Sequence, residues 1–261
     1  MNPPQHAMNT PQGRLFLVPT PLDFGCAAQA PITDVLPEAT LATAASIRHW
    51  VCENAKTTRA FLKRVGETHP LIAALPEQNI TELPRHVHKK GDHQSGFDGK
   101  PLLAAALQGH DVGLISEAGM PAVADPGSSV VRAAHDLGLR VVPLVGPVSL
   151  LLALAASGLN GQNFAFVGYL PQDAAERAAR LKQLESLAHK TGQTQLWIET
   201  PYRNAAMLSG LLQSLQANTR LAIASGLTLP SASIQSHTVA QWKKGLKGPD
   251  GHTPAVYAIG P

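Results

Sequence analysis

Short apolar runs alternate with helix-favouring segments along almost the whole chain. Apolar runs of about four to eight residues that end at Gly or Pro are typical of buried strands, whereas apolar residues three and four positions apart indicate a helix. These patterns predict strands at 14–18, 47–53, 111–116, 140–144, 164–167, 194–199, 220–224, 234–239 and 255–259. They predict helices at 37–46, 57–65, 101–109, 129–137, 149–156, 173–187 and 203–215.

The alternation of strands and helices occurs twice along the chain, which predicts an α/β fold with two sheets. We expect an N-terminal α/β domain at 14–118 and a C-terminal α/β domain at 119–261, whose last two strands form a closing pair. Residues 1–13 are polar and rich in proline, so we expect this N-terminal segment to be disordered. Residues 69–100 carry scattered prolines and glycines, and we expect them to be the least ordered part of the remainder.

The most informative stretch of the chain runs from Leu114 to Ser149. There a buried strand end is followed by a loop rich in Gly and Pro, a helix, a second strand and a Gly-Pro turn. Open parallel sheets bind their ligands at the carboxyl ends of their strands. Glycine permits unusual backbone angles and proline fixes the chain path, so the combination indicates a loop of special shape. We therefore predict a ligand-binding loop at 117–127, where the two domains join.

Composition indicates a globular protein. Of the 261 residues, 44% are apolar and 15% are charged, so the chain can bury a sizeable core. Cys26 and Cys52 form no CxxC pattern, which favours free thiols in a reducing compartment. The N-terminus lacks a signal-peptide pattern, and the longest apolar run, 150–156, is far shorter than the roughly 20 residues that span a bilayer. We therefore expect a cytoplasmic protein without a membrane segment.

The formal net charge of +3 is compatible with an RNA partner, and the aromatic content of 5% argues against a single-strand binder built on base stacking. Basic character is concentrated in one segment, which holds His86, His88, Lys89, Lys90 and His93. Three histidines at this spacing are able to bind zinc, but no Cys or paired acid accompanies them. A solvated basic loop that contacts a polyanion fits better, so we expect no metal site.

Six segments carry a resemblance to a known family: LFLVPTPLDFG, ISEAGMPAVADPG, PLVGPVS, FAFVGYLP, QLWIETPYRN and LAIASGLT. In order and spacing they resemble the tetrapyrrole methylase superfamily of S-adenosylmethionine-dependent methyltransferases over residues 14–259. Within it, the chain resembles the branch that methylates a ribose of small-subunit ribosomal RNA. A nicotinamide-binding site is a poor alternative, because VPTPLD and not GxGxxG follows the first strand.

The resemblance implies a homodimer whose subunits bind S-adenosylmethionine in a cleft between the two α/β domains. It implies methylation of a ribose 2′-hydroxyl in RNA or in a ribosomal subunit. It also implies a set of cofactor-binding residues from both domains: Gly119, Met120, Val123, Ala124, Val148, Ser149, Ile198, Glu199, Gly226, Leu227, Pro254 and Ala255.

Methyl transfer is an in-line displacement that depends mainly on positioning, and a ribose hydroxyl benefits from a general base. The candidate catalytic residues are Glu53, Asp125, Glu199 and Arg203. Two structural alternatives stay open. Asp125 would serve as the cap of the helix that follows it, and Glu199 would form an ion pair with Arg203.

The chain departs from the ribosomal branch at recognisable positions. The branch has an acidic pair followed by Thr-Arg-His where this chain has ENAKT at 53–57, and it has Ser-Pro-His-Arg where this chain has TPYR at 200–203. Members of the branch also continue past the last strand, so we expect a shorter paralogue. These departures keep two alternatives open: a methyltransferase of a small molecule such as a tetrapyrrole, and a cofactor-binding regulatory protein without turnover.

Overall fold

A computed structural model describes residues 11–23, 26, 28–90, 92 and 96–261. The chain forms two compact units. The first comprises the described parts of 1–21 together with 31–147, and the second comprises the described parts of 22–30 together with 148–261. The division falls after Pro147, whereas the sequence placed it after residue 118, because the strand at 140–143 joins the first sheet. Most of the predicted disordered segment, 1–13, lies outside the described residues.

The first unit contains a fully parallel sheet. Its strands are β1 (Arg14–Val18), β2 (His49–Cys52), β3 (Asn79–Glu82), β4 (Val112–Ile115) and β5 (Arg140–Pro143), in the order β3-β2-β4-β1-β5. Its helices are α1 (Ile32–Val35), α2 (Glu38–Ala45), α3 (Ala55–Gly66), α4 (Arg85–Lys90), α5 (Ala104–Leu107) and α6 (Ser128–Asp136). Helices α1, α2 and α3 pack on one face of the sheet and α5 and α6 on the other, as the predicted α/β class requires.

A glycine in β4 makes room for the largest side chain of this core. Trp50 in β2 is 1% exposed, and its Nε1 donates to Oε1 of Gln78 at 3.1 Å. A Cβ atom at Gly113, on the neighbouring strand, would lie 2.5 Å from the Trp50 ring. The ring cannot move without breaking its packing and its hydrogen bond. The sequence requirement for glycine here is therefore steric.

We expect Gly113→Ala to lower the free energy of unfolding by about 1–3 kcal/mol, the usual cost of forcing extra atoms into a packed core. Chemical denaturation followed by circular dichroism measures the effect. Gly161→Ala is the matched control, because a Cβ atom there meets nothing within 4 Å. Equal stability of the two variants would contradict the steric argument.

The second unit contains a mixed sheet. Its strands are β6 (Phe164–Phe166), β7 (Thr194–Glu199), β8 (Arg220–Ser225), β9 (Ser233–Thr238) and β10 (Ala255–Gly260), in the order β6-β7-β10-β8-β9. Its helices are α7 (Ser149–Ser157), α8 (Ala174–Thr191), α9 (Asn204–Ser214) and α10 (Val239–Trp242). The two expected closing strands, β9 and β10, are present, but they do not pair with each other, because β8 lies between them and pairs with both.

The segment 69–100 contains more regular structure than its composition predicts. It holds β3, which hydrogen-bonds to β2, and the short helix α4. Strand β3 lies at the edge of the sheet and its side chains are mostly exposed, so its sequence lacks the apolar signal of a buried strand. Of the helices in the described part of the chain, none combines the length and the apolar character that crossing a bilayer requires.

Candidate functional site

The loop after β4 has a strained backbone. Gly119 and Gly127 have φ angles of 79° and 131°, and Ala122 and Ala124, which carry Cβ atoms, have φ angles of 63° and 65°. Each non-glycine residue in this region costs about 1 kcal/mol or more. Backbone hydrogen bonds in both directions between Thr20 and Gly119 hold the loop beside the end of β1. Strain that the surrounding structure maintains in this way is typical of ligand-binding sites.

Three carboxyl groups meet at the same edge of the first sheet. Glu53 follows β2, Glu117 follows β4, and Asp125 lies on the strained loop. The backbone amide of Glu117 donates to the Glu53 carboxyl group, whose Oε1 is buried without a hydrogen-bond partner among the described residues. The Ser116 hydroxyl lies 3.4 Å from the Gly119 carbonyl, to which it donates, and it also lowers the pKa of Asp125. Thr57 Oγ1 lies 3.4 Å from Glu117 Oε1. The structure thus brings together two of the predicted catalytic residues, Glu53 and Asp125.

The pKa values of Glu53 and Asp125 lie on opposite sides of neutral pH. Burial, followed by the charges of Asp125 and Glu117, raises the pKa of Glu53 to about 8. Burial and the charge of Glu117 raise the pKa of Asp125 to about 6, although the hydrogen bond from Ser116 lowers it. At pH 7, Glu53 therefore holds a proton while Asp125 is ionised. A neutral acid beside a carboxylate is an arrangement suited to proton transfer.

The cap of helix α6 comes from a distant residue. Asp92 is 2% exposed, and its Oδ2 accepts from the backbone amides of Gly127 at 2.9 Å and Ser129 at 2.7 Å. Its two oxygens also accept from the hydroxyls of Ser128 and Ser129, both at 2.6 Å. The proposal that Asp125 caps this helix is therefore wrong, since Asp92 satisfies the amides at its start. Sequence reasoning missed Asp92 entirely.

In the second unit, the predicted cofactor residues lie at one edge of the mixed sheet. Because β10 is antiparallel to β7 and β8, the start of β10 pairs with the ends of the other two: Ala255 lies opposite Glu199 and Ser225. Gly226 and Leu227 follow β8 directly, and Pro254 precedes β10. Val148 and Ile198 pack against the same apolar cluster as Leu227, and Ser149 begins α7. Eight predicted residues are thus neighbours within this unit.

A further sign of strain lies beside these residues. Three non-glycine residues of the described chain have positive φ angles, and Thr228, at 71°, is the one outside the first unit. Its hydroxyl oxygen is buried and has no hydrogen-bond partner among the described residues. A β-branched residue rarely adopts this conformation. The turn after β8 therefore has the same character as the strained loop after β4.

Glu199 and Arg203 contact each other directly. Glu199 Oε2 lies 2.9 Å from Arg203 Nη2, and the Glu199 side chain is fully buried. Glu199 Oε1 also accepts from the backbone amide and the hydroxyl of Thr200, at 2.7 and 3.2 Å. Burial, and after it the charge of Glu199, raises the pKa of Tyr257. These contacts favour the structural role of the pair, and a catalytic role for either residue stays a prediction.

The histidine-rich segment lies partly outside the described residues. His93 is among the residues left out, as are the side chains of His88, Lys89 and Lys90. His86 contacts the ring of Phe97 edge-on, with 6.2 Å between ring centroids. In the described ranges there is no group of three or more His, Cys, Asp or Glu side chains able to hold a metal ion.

Comparison with known proteins identifies relatives of this chain. The ribosomal RNA small subunit methyltransferase I of Mesorhizobium japonicum is 32% identical over 225 residues, which are 86% of this chain and 67% of that protein. The protein of the same name from Pseudomonas aeruginosa is 31% identical over 229 residues, which are 88% of this chain and 71% of that protein.

A solved structure and a family model agree with these relatives. The crystal structure of the methyltransferase CobJ covers 95% of this chain and 94% of its own, with a TM-score of 0.54 and 18% identity, which supports the fold alone. The model of the tetrapyrrole (corrin/porphyrin) methylases matches residues 36–242. The resemblance read from the six sequence segments is thereby confirmed. This chain belongs to the tetrapyrrole methylase family and is a methyltransferase.

Proposed function

We propose that this methyltransferase transfers a methyl group from S-adenosylmethionine to a ribose 2′-hydroxyl of small-subunit ribosomal RNA. The substrate class rests on the names of the relatives, each called a ribosomal RNA small subunit methyltransferase. The chemistry rests on one structural observation. The carboxyl groups of Glu53 and Asp125, whose pKa values are both raised by burial and by neighbouring carboxylates, stand beside a strained loop at the carboxyl edge of a parallel sheet.

The residues present fit a donor of this type. A sulfonium cation attached to ribose, adenine and an amino acid needs backbone groups and an apolar surface more than it needs charged side chains. The strained backbone at 119–127 and the buried Thr228 hydroxyl, which has no hydrogen-bond partner among the described residues, are two sites where the chain maintains an unfavourable state. When bound, S-adenosylmethionine supplies an activated methyl group for an in-line displacement.

The residues proposed to hold the donor fall into two sets. In the first unit they are Gly119, Met120, Val123 and Ala124, of which Gly119 is buried and Val123 is 41% exposed. In the second unit they are Val148, Ser149, Ile198, Glu199, Gly226, Leu227, Pro254 and Ala255. A cleft for the donor between two domains, a homodimer and a cytoplasmic location are implied by the family resemblance and stay predictions.

Asp125 acts as the general base in this proposal. A ribose hydroxyl is a weak nucleophile, and a carboxylate within hydrogen-bond distance accepts its proton as the bond to the methyl carbon forms. Glu53, whose pKa of about 8 keeps it protonated at neutral pH, adds no second negative charge, and its buried Oε1 has no partner among the described residues. Glu117 raises the pKa of both groups and so makes Asp125 a stronger base.

The rate of methyl transfer is expected to depend on pH in a defined direction. The active form contains ionised Asp125, so kcat should rise about tenfold per pH unit below pH 6 and level off above it. Glu117→Gln removes a charge that raises the pKa of Asp125, so the inflection should move to lower pH. Single-turnover rates between pH 5 and 8 measure both curves. A rate independent of pH over this range would contradict the assignment.

Two measurements test the proposed function. Calorimetry of the purified protein with S-adenosylmethionine tests donor binding, and failure to bind would exclude every hypothesis that uses this donor. Labelled methyl transfer to ribosomal RNA and to small subunits from a strain lacking the gene tests the acceptor. If the donor binds and RNA receives no label, comparison of metabolites with and without the gene tests the small-molecule alternative. Donor binding without any acceptor would favour the regulatory alternative.

A further inference from the structure

Helix α3 carries a line of exposed cations. Lys56, Arg59 and Lys63 are all exposed, whereas Phe61 and Leu62 of the same helix are buried in the core. At 100° per residue, the three cations lie within a sector of about 60°, and the line is about 10 Å long. We call these three residues the basic line of α3.

The basic line has no internal partner. Helix α3 contains no acidic residue, and no carboxylate among the residues that the structure describes forms an ion pair with Lys56, Arg59 or Lys63. The helix itself disfavours part of this arrangement. Arg59 and Lys63 are like charges four residues apart, and Lys56 is a cation in the first turn, where the helix dipole favours anions. Lys63 lies in the last turn, where the same dipole favours a cation. Three aligned cations without an ion-pair partner, two of them four residues apart, indicate an external anion.

The basic line begins next to the carboxylates of the candidate site. Helix α3 starts two residues after Glu53, where Asn54 caps it and accepts from the Lys56 amide at 2.9 Å. Thr57 in its first turn lies 3.4 Å from the Glu117 carboxylate. The line therefore runs from the carboxyl edge of the first sheet outward along the helix. An anion that binds along it reaches the reaction site at one end.

We propose that the basic line of α3 binds successive phosphates of the RNA strand that carries the methylated ribose. This inference rests on the proposed function and adds the element that holds its substrate. A line of cations matches a strand with evenly spaced charges. A membrane surface fits less well, because α3 exposes no large apolar side chain among its described residues.

The test compares two triple variants that remove the same charge. One is Lys56→Gln, Arg59→Gln and Lys63→Gln in the basic line. The matched control is Lys243→Gln, Lys244→Gln and Lys247→Gln, which changes three exposed lysines of the second unit. A third variant, Lys56→Arg, Arg59→Lys and Lys63→Arg, keeps the charges. Binding to an unmodified small-subunit ribosomal RNA transcript is measured between 50 and 200 mM salt, with thermal unfolding as the check on folding.

Three phosphate contacts correspond to a slope of about 2 in the dependence of log affinity on log salt. We expect the basic-line variant to lose this part of the slope and to bind RNA on the order of 10- to 100-fold more weakly at 0.1 M salt. Its affinity for S-adenosylmethionine should be unchanged. The control triple variant should lose much less RNA affinity. The charge-preserving variant should bind RNA as tightly as the natural chain does.

The possible outcomes separate this inference from the proposed function. If the natural chain binds RNA and the basic-line variant binds equally well, or if both triples weaken binding equally, the basic line is not the RNA contact. If the basic line is required for binding of an acidic protein and not for binding of RNA, the assignment to RNA is wrong. If RNA binding depends on the line but no methyl group is transferred to RNA, the inference stands and the proposed function fails.

Discussion

Replacement of Asp125 by asparagine is expected to lower kcat for methyl transfer by about 100-fold or more, the range for loss of a general base. The amide has nearly the same shape as the carboxyl group and accepts the hydrogen bond from Ser116, but it cannot take a proton from the acceptor hydroxyl. Single-turnover methyl transfer to unmodified ribosomal RNA measures the change. The rise of the rate near pH 6 should disappear together with the carboxylate.

The controls for this prediction separate catalysis from structure. Asp136→Asn makes the same chemical change at an exposed position of α6 and should leave kcat unaltered. The affinity for S-adenosylmethionine decides between roles, because a residue that only supports the loop would change donor affinity and not kcat. An Asp125→Asn enzyme with a normal kcat would remove Asp125 from the catalytic mechanism. Glu53→Gln should have a smaller effect, since it keeps a neutral hydrogen-bonding group.

Replacement of Asp92 by alanine is expected to lower the free energy of unfolding by about 3 kcal/mol. The substitution leaves the buried amides of Gly127 and Ser129 without an acceptor, and it removes the cap of α6. Because Gly127 ends the strained loop, we also expect weaker binding of S-adenosylmethionine. Denaturation curves measure the first effect, and calorimetry measures the second.

A matched substitution is available six residues away. Asp98 is exposed and accepts one hydrogen bond, from the Lys100 amide at 3.0 Å, so Asp98→Ala should cost much less. The loss of stability caused by Asp92→Asn should lie between the losses caused by these two variants, because the single carbonyl oxygen of asparagine replaces only part of the four contacts. If Asp92→Ala is as stable as Asp98→Ala, the capping assignment is incorrect.

The contribution of Asp92 to stability has a predictable dependence on pH. Burial raises the pKa of this carboxyl group, but hydrogen bonds from Ser128, Ser129 and Gly127 outweigh burial and hold the pKa below its usual value. A carboxyl group with a lowered pKa in the folded state stabilises the protein above its unfolded pKa of about 3.9. This stabilisation is lost as the pH falls through the lowered value. The difference between the natural chain and Asp92→Ala should therefore shrink under acid conditions.

Regular structure was predictable where the local pattern is strong. Strand β7 has the predicted bounds, because Gly192 ends the preceding helix and the strand pattern TQLWIE begins two residues later. Strand β3 was missed, since an exposed edge strand is held by hydrogen bonds to β2 and not by an apolar pattern of its own. The boundary between the units was misplaced for a similar reason. The sequence contains no local sign that β5 pairs with β1.

In the candidate site, too, local features were predictable from the sequence and contacts between distant residues were not. The loop at 117–127 was recognisable from its glycines and prolines, because these residue types restrict or free the backbone wherever they occur. The partners of that loop were not recognisable. Asp92 lies 35 residues from the Gly127 amide that it accepts from, and nothing in its neighbourhood distinguishes it from a surface aspartate.

By itself, the sequence determined the α/β class, the special shape of the loop after β4 and the family, because these depend on residue types, spacing and order along the chain. Only the tertiary structure decided which carboxyl groups meet, which residue caps α6 and which cations of α3 remain unpaired. Each of these properties depends on distances between residues that are far apart in the chain. The pKa of Glu53 illustrates the reason: burial and the neighbouring Asp125 and Glu117 set it, and the fold alone brings these groups together.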